Sequence, residues 1–299
     1  MSLIDRLIDD DVPLDIPPKV LFKYFSTNRI DVLENRRIRL TPPGAFNDPF
    51  EGNPVEDINF DVNKLVDKFT PDVLEILIPK LKKELVECKS WSVEEVRKNP
   101  EEYIQKLIQI IQDHYENNTK AHDRRRSTPL DLIDNILGIV SLAEWPDDLL
   151  MWSHYGADHS GFVIGFRTDC DFFADAKYSV RRVRYTDRRP SLQKGGVWRL
   201  SFNLTKSSAW RYEQEWRLID SVIGVPQTDK VDNNEYPIIL KEFPPEAVQT
   251  VLVGSRIKKN DLDKIRKIMN RPEFEHAELH TSILDPKIYR LEVSDHSEI

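Results

Sequence analysis

Cysteine is nearly missing from this chain: Cys88 and Cys170 are the two it has, too few for a disulfide framework and without the spacing of a zinc site. A reducing compartment, the cytoplasm, is the expectation. Long apolar runs are missing too. No stretch approaches the roughly 18 uncharged apolar residues of a membrane-spanning helix. The start, MSLIDRLIDDDVPLDIPP, has no basic segment followed by an apolar one and does not read as a secretory signal. A surplus of positive charge is absent as well. The formal charge of −8 gives no overall steering toward nucleic acid or anionic lipid. Internal repeats and low-complexity linkers are lacking.

What is present is globular. Six Trp and nine Tyr argue against disorder, in which aromatics are scarce, and 299 residues are enough to bury a substantial core. Residues 1–19 read as a Pro-rich extension and 20–295 as one α+β domain. Val20–Phe25 reads as a strand, Arg29–Asn35 as a helical turn and Arg37–Leu40 as a second strand, a β-α-β-like opening closed by the turn Thr41-Pro42-Pro43-Gly44. From about 61 to 140 the pattern turns helical. Val62, Leu65, Val66 and Phe69, and later Ile104, Leu107, Ile108 and Ile111, recur at spacings of three and four, which predicts a helical insertion.

Strands return over Gly161–Arg167, Ser179–Tyr185, Glu215–Ser221, Tyr236–Phe243 and Gln249–Val253. Regular intervening helices are missing, so the sheet is expected to be mixed and mainly antiparallel. Asn260 is expected to cap a helix carrying Leu262, Ile265, Ile268 and Met269, with strands near Glu278–Leu284 and Lys287–Val293 after it. The run Arg124-Arg125-Arg126 reads most simply as a solvated helix end or loop.

Three segments have the residue types of a site. In Phe46-Asn47-Asp48-Pro49-Phe50-Glu51 a polar group sits between aromatics after a turn, where side chains can face a pocket while packed neighbours hold them. Asn-Asp-Pro is equally ordinary turn chemistry. Met151-Trp152-Ser153-His154-Tyr155-Gly156 sets one histidine among aromatics, placed either for proton transfer or as a hydrogen-bonded core residue. In Trp210-Arg211-Tyr212-Glu213-Gln214-Glu215-Trp216-Arg217-Leu218 two carboxylates lie two apart. On a strand they would share a face and repel unless Arg211 or Arg217 compensates. A surface ladder of Glu and Arg is the plainer alternative, against which the three aromatics argue. His276 and His280 do not fit the helical zinc motif, and no metal is expected.

With these segments in view, the sequence resembles the bacterial family known as domain of unknown function 2971. The matching elements are Leu21-Phe22-Lys23-Tyr24-Phe25, FNDPFE, Leu150–Tyr155 with Gly161-Phe162 and Gly165-Phe166, and Trp210–Arg217, in that order. Ser141-Leu142-Ala143-Glu144 departs from the family's Cys-Phe-Ser-like strand, a departure that puts none of the residues singled out in doubt.

A fainter similarity, in the Glu-x-Glu at the start of a late strand, is to ADP-ribosyltransferases, which have a split sheet. It implies an enzyme acting on NAD as substrate, as a transferase or an NAD-consuming effector, with a role in defence against phage. Glu215 would be the catalytic carboxylate and Glu213 its companion; His154, singled out by its aromatic setting and not by this resemblance, is the third catalytic candidate. Lys23, Tyr24, Asn47, Asp48, Glu51, Trp152, Tyr155 and Arg217 would bind the nucleotide. Lys23 and Tyr24 stand where that superfamily has His or Arg. The acceptor, protein or nucleic acid, stays open, and no membrane partner is implied. Two other readings stand beside this one: a hydrolase or nuclease using Asp48, Glu51, His154, Glu213 and Glu215, and a non-catalytic ligand-binding or sensor module.

Overall fold

A computed structural model describes residues 15–56, 88–118, 134, 137–173, 180–192, 200–222, 225 and 227–295. Its first elements follow from the sequence pattern. Val20–Phe25 forms strand β1, Ile30–Asn35 helix α1 and Arg37–Leu40 strand β2. α1 ends on Arg36, which takes a left-handed conformation (φ 52°) and turns the chain back. β1 and β2 nevertheless join different sheets, so the opening is not a paired β-α-β unit.

After the two-residue strand β3 (Val55–Glu56), the described chain resumes with helices α2 (Val93–Lys98) and α3 (Pro100–Asn118). Ile104 and Leu107 are buried, as their spacing implies. The apolar pattern from Asp61 to Leu85 and the Arg124–Arg126 run lie outside the described residues. Residues 137–140, at the end of the stretch read as helical, already belong to strand β4 (Leu137–Ala143). LGIVSLA is almost continuously apolar, the composition of a strand covered on both faces rather than of a one-sided helix.

Helix α4 (Leu149–His154) follows, capped by Asp148, whose carboxylate accepts from the amides of Leu150 and Met151. Three successive left-handed residues, Ala157, Asp158 and His159, then turn the chain into strand β5 (Phe162–Arg167). Gly161 stands at that junction because a Cβ there would lie 2.1 Å from the Phe25 carbonyl oxygen. Short strands β6 (Val180–Arg182), β7 (Arg184–Thr186), β8 (Ser191–Leu192) and β9 (Thr205–Ser207) lead to β10 (Glu215–Ser221).

β11 (Gln227–Val231), β12 (Pro237–Glu242) and β13 (Val248–Val253) precede helix α5 (Lys259–Met269), and β14 (Glu278–Leu284) and β15 (Leu291–Asp295) close the described chain. α5 begins one residue before Asn260. Lys258 is its N-cap, its carbonyl accepting from the amides of Asp261 and Leu262, and no side chain caps the helix. The last strand starts at Leu291 rather than Lys287, because Asp285 gathers the amides of Lys287 and Ile288 into a turn.

Eight strands form one sheet in the order β15-β14-β13-β5-β1-β4-β10-β6. Its pairings are antiparallel except for β13 with β14, and β11-β12-β2 form a separate antiparallel sheet. The fold is α+β. β4 and β10 pair through seven positions, whereas β1 and β4 share the single register point Phe22 with Ala143. The large sheet therefore parts between β1 and β4. The main core packs Leu21, Phe25, Phe162, Ile164, Phe166, Trp216 and Leu218, and a second cluster on Tyr24, Met151, Trp152 and Val163 holds α4. No helix among the described residues is long and apolar enough to cross a membrane.

Candidate functional site

Where β1 and β4 part, a cavity of about 280 Å³ opens. β1 contributes Phe22, Lys23 and Tyr24, β4 contributes Ser141, Leu142 and Ala143, and β10 contributes Glu215 and Arg217. Lys206 comes from β9, Glu213 from the turn before β10, and Phe46, Asn47 and Glu51 from the FNDPFE turn. Met151 and Tyr155 arrive from α4 and its end. The FNDPFE, WSHYG and EQEWR segments thus do converge, each through part of its residues.

At the centre is a buried set of charges. The Lys206 ammonium lies 2.5 Å from Glu213 Oε2, 3.1 Å from Glu215 Oε2 and 3.8 Å from Glu51 Oε2. Arg217 Nε and Nη2 donate to the two oxygens of Glu215 at 2.9 and 3.0 Å, a bidentate pair. The same guanidinium also reaches Glu51 and the Asn203 carbonyl and packs its cationic face 4.7 Å from the Phe46 ring centroid. Every charged member of this set is less than one-tenth exposed. Such burial is tolerated because each carboxylate meets a cation.

Local structure explains the convergence. Glu213 ends a 3-10 turn, Ser208–Glu213, and Gln214 adopts a left-handed conformation (φ 42°) before Glu215 opens β10. The two carboxylates meet because that corner folds them onto Lys206. Strand alternation, the reason expected, does not place them. Arg211, one of the two arginines expected to compensate, is exposed and lies over the Tyr185 ring. Lys206 and Arg217 do the compensating.

Burial is the main cause that raises the Glu215 pKa. Lys206 opposes the rise, Glu213 adds to it, and a hydrogen bond from the Ser141 side chain opposes it. For Lys206 burial alone would lower the pKa, but Glu215 and Glu213 outweigh it and the net shift is upward. Burial draws the Arg217 guanidinium downward, while its two carboxylate partners keep it a cation. Tyr155 donates to Glu213 Oε1 at 2.7 Å and accepts from Asn47 Nδ2 at 3.4 Å. Burial and then Glu213 push its phenol above the usual range.

Lys23 differs from Lys206. Its ammonium donates to the Ser141 carbonyl at 2.8 Å, and among the described residues no carboxylate lies within ion-pair distance of it. Burial lowers its pKa to about 8, against Glu215 and Glu213, which favour the charged form.

Four expected residues lie elsewhere or do other work. His154 is exposed at the end of α4, beside the Tyr155 and Tyr212 rings, and does not line the cavity. Trp152 is fully buried, donates to the Pro146 carbonyl at 2.8 Å and meets Tyr24 edge-on, so it is a core residue that holds α4. Asp48 folds back onto the Phe50 amide at 2.9 Å, an Asx turn; its carbonyl accepts from the Glu51 amide at 3.1 Å, and its charge favours the Arg217 cation. Tyr24 lines the cavity, but its hydroxyl donates to the Trp145 carbonyl at 2.9 Å.

Sequence reasoning passed over Lys206, Ser141 and Tyr185. Tyr185 accepts from the Glu215 amide at 2.8 Å. Ser141 belongs to the segment that departs from the family pattern, and that segment lines the site after all. For Lys206 one signal was available: it stands in a run without acidic residues from Arg188 to Tyr212, so its partners had to come from outside that run. Among the described residues no cluster of three or more His, Cys, Asp or Glu side chains is arranged to hold a metal ion.

Fold and site define an α+β protein with a cavity lined by buried, mutually neutralising charges. Residues 151–218, which carry most of α4, β5, Lys206 and the Glu213–Arg217 corner, match the model of a family described as Protein of unknown function (DUF2971). The resemblance read from WSHYG and WRYEQEWR thus holds over the segment that contains both. No curated protein and no solved structure matches the chain.

Proposed function

We propose that the cavity is an active site for cleavage or transfer at the N-glycosidic bond of a nucleotide, with NAD as the first substrate to test. The observation that carries the reading is the meeting of β1, β4 and β10 at one cavity, with Glu215 held by Arg217, Lys206 and Ser141 and the aromatic side chains of Phe22, Tyr24 and Phe46 around it. A carboxylate fixed by charge-assisted bonds is preorganised. It needs no rearrangement to accept from a ribose hydroxyl and to stabilise positive charge at the anomeric carbon as the base departs. Aromatic walls suit the departing planar ring. The cavity, at about 280 Å³, lies just below the ligand-pocket range of roughly 300 to 1,000 Å³, so on this reading part of the nucleotide lies outside its mouth at the exposed Asn47.

Nicotinamide release from NAD, measured with and without candidate acceptors, tests this. Release that falls about a hundredfold or more in Glu215→Gln, assayed where that variant is folded, supports it. No NAD consumption by the folded wild type under any of these conditions removes it. A role in defence against phage belongs to the same proposal and is tested by infecting bacteria that carry wild-type or Glu215→Gln protein.

One observation favours a second reading, a non-catalytic binding module. Glu213 and Glu215 are already neutralised by Lys206 and Arg217, which is how a rigid pocket wall is built. Saturable binding of NAD without turnover is the result that selects it. The hydrolase or nuclease reading gains less, because His154 lies outside the cavity and the ammonium and guanidinium occupy the space between the carboxylates that a divalent cation would take.

A further inference from the structure

We propose that Lys23 is an amine nucleophile and that the cavity takes a small aldehyde or ketone with an apolar body, which Lys23 holds as a Schiff base. The inference is independent of the N-glycosidic reading, since it needs only the cavity and this one side chain.

The two lysines of the site are built differently. Lys206 touches three carboxylates, Glu51, Glu213 and Glu215, and is locked as a cation. Lys23, on β1 where the sheet parts, has the neutral carbonyl of Ser141 as its hydrogen-bond partner. A neutral amine keeps that bond with one N–H and still presents its lone pair, so this environment tolerates the free base, as the surroundings of Lys206 do not. The charges that act on Lys23 are Glu215 and Glu213, which favour the ammonium, and Arg29, which with burial disfavours it. Burial is the largest of these, and it leaves the group titrating near neutrality, at about 8. Lys23 is half-buried, and a lysine whose ammonium is partly stripped of water is an activated nucleophile toward carbonyl carbon. Phe22, Tyr24 and Phe46 supply apolar walls, and the small volume limits the ligand to a compact one.

The chemistry closes without an oxidant or reductant. The ammonium first gives a proton to solvent. The amine lone pair then forms the N–C bond as the carbonyl electron pair moves to oxygen. A proton passes from nitrogen to that oxygen, giving a carbinolamine. When nitrogen gives up its remaining proton, the C–O bond breaks and the oxygen departs as water, leaving an imine. Protons and water exchange through the mouth at Asn47, the exposed part of the lining.

The test is reductive trapping on the full-length protein. Propanal or formaldehyde is added with cyanoborohydride at a series of pH values, and peptide mass spectrometry follows alkylation of each lysine. The expected result is modification of Lys23 at least about tenfold faster than exposed side chains such as Lys98 at neutral pH, because a lysine titrating at about 8 holds far more free base than one at the ordinary value of about 10.4. Its rate levels off above about pH 8, while the rates of exposed lysines keep rising. The proposal is overturned if Lys23 stays unmodified by both aldehydes, or if it reacts with the rate and pH profile of Lys98. Nicotinamide release is measured separately on the same preparation, so either reading can fail while the other stands.

Discussion

Glu213 and Glu215 meet at one ammonium, that of Lys206, although they belong to different elements and a left-handed residue, Gln214, stands between them. The corner is what makes the site. An extended strand through Gln214 would hold the two carboxylates on one face about 6.5 Å apart along the strand, whereas the turn folds Glu213 back onto Lys206 while Glu215 stays in the sheet. Both are deeply buried, so their charge is affordable only with Lys206 and Arg217 beside them.

Lys206→Met removes the shared cation and leaves two buried carboxylates with less than their full compensation. The expected loss is about 3 to 5 kcal/mol of stability, as for breaking a buried pair from one side. The sign with pH follows from linkage. Without Lys206 the Glu215 pKa rises further above its unfolded value, so the folded state binds more protons and the deficit narrows as pH falls toward that of ordinary carboxylates. Denaturant melts of wild type and variant across acidic to neutral pH measure both. A deficit that does not change with pH would contradict the account.

Lys23→Met has the opposite effect. The folded-state pKa of Lys23 is lowered to about 8 from 10.5, so holding the charged form costs stability below pH 8 and the cost disappears as pH rises to 10.5. The variant is expected to be more stable than wild type at neutral pH, by about 3 kcal/mol at most. Its advantage should shrink between pH 8 and 10.5. The difference between the two proteins isolates this group from the half-buried tyrosines Tyr155 and Tyr185, whose phenols are raised alike in both. Paired thermal melts at pH 7 and pH 10 are the measurement.

Much of this fold was legible in the sequence because local patterns decide it. Val20–Phe25, Arg37–Leu40 and Glu215–Ser221 are strands with the bounds that β-rich apolar runs between turn residues imply. The site was legible in part. Its segments could be found because clusters of aromatic and charged residues are rarely left in solvent, and Lys23, Asn47, Glu51, Tyr155, Glu213, Glu215 and Arg217 do line one cavity. What could not be read was long-range. Lys206 becomes a site residue only once β9 lies against the turn at Glu213, and Ser141 only once β4 pairs with β10. His154 and Trp152 were attractive for their neighbours in sequence, but the helical geometry of α4 sends Trp152 into the core and leaves His154 exposed.

His154→Ala is accordingly expected to change little. An exposed residue without a cap or buried partner typically shifts stability by no more than about 0.5 kcal/mol. Tyr155→Phe, one residue on, removes the phenol that donates to Glu213 at 2.7 Å and should cost about 1 to 2 kcal/mol, as for a hydrogen bond to a buried charged group. Thermal melts of the two variants, run side by side, check the contrast. Equal effects would mean that the Tyr155–Glu213 bond does not contribute.

Glu215→Gln and Glu213→Gln separate catalysis from architecture. Glu215 is held by Arg217 through both oxygens and by Lys206, whereas Glu213 is held by Lys206 and Tyr155. Neutralising Glu215 therefore strands more of the Arg217 charge, although Glu51 stays in contact with it. The expected loss is about 3 kcal/mol for Glu215→Gln and about 2 kcal/mol for Glu213→Gln. These costs are well above the roughly 1 kcal/mol at most of an exposed ion pair, so melting distinguishes a buried pair from a surface ladder before any activity is assayed. If the N-glycosidic reading holds, nicotinamide release also ranks the variants. Glu215→Gln should lose about a hundredfold or more even at temperatures where it is fully folded, because the charge that stabilises the oxocarbenium-like state is gone. Glu213→Gln should keep most of its activity and alter the choice of acceptor. Activity that falls only in proportion to the unfolded fraction would assign both residues to the pocket wall and leave the binding-module reading in place.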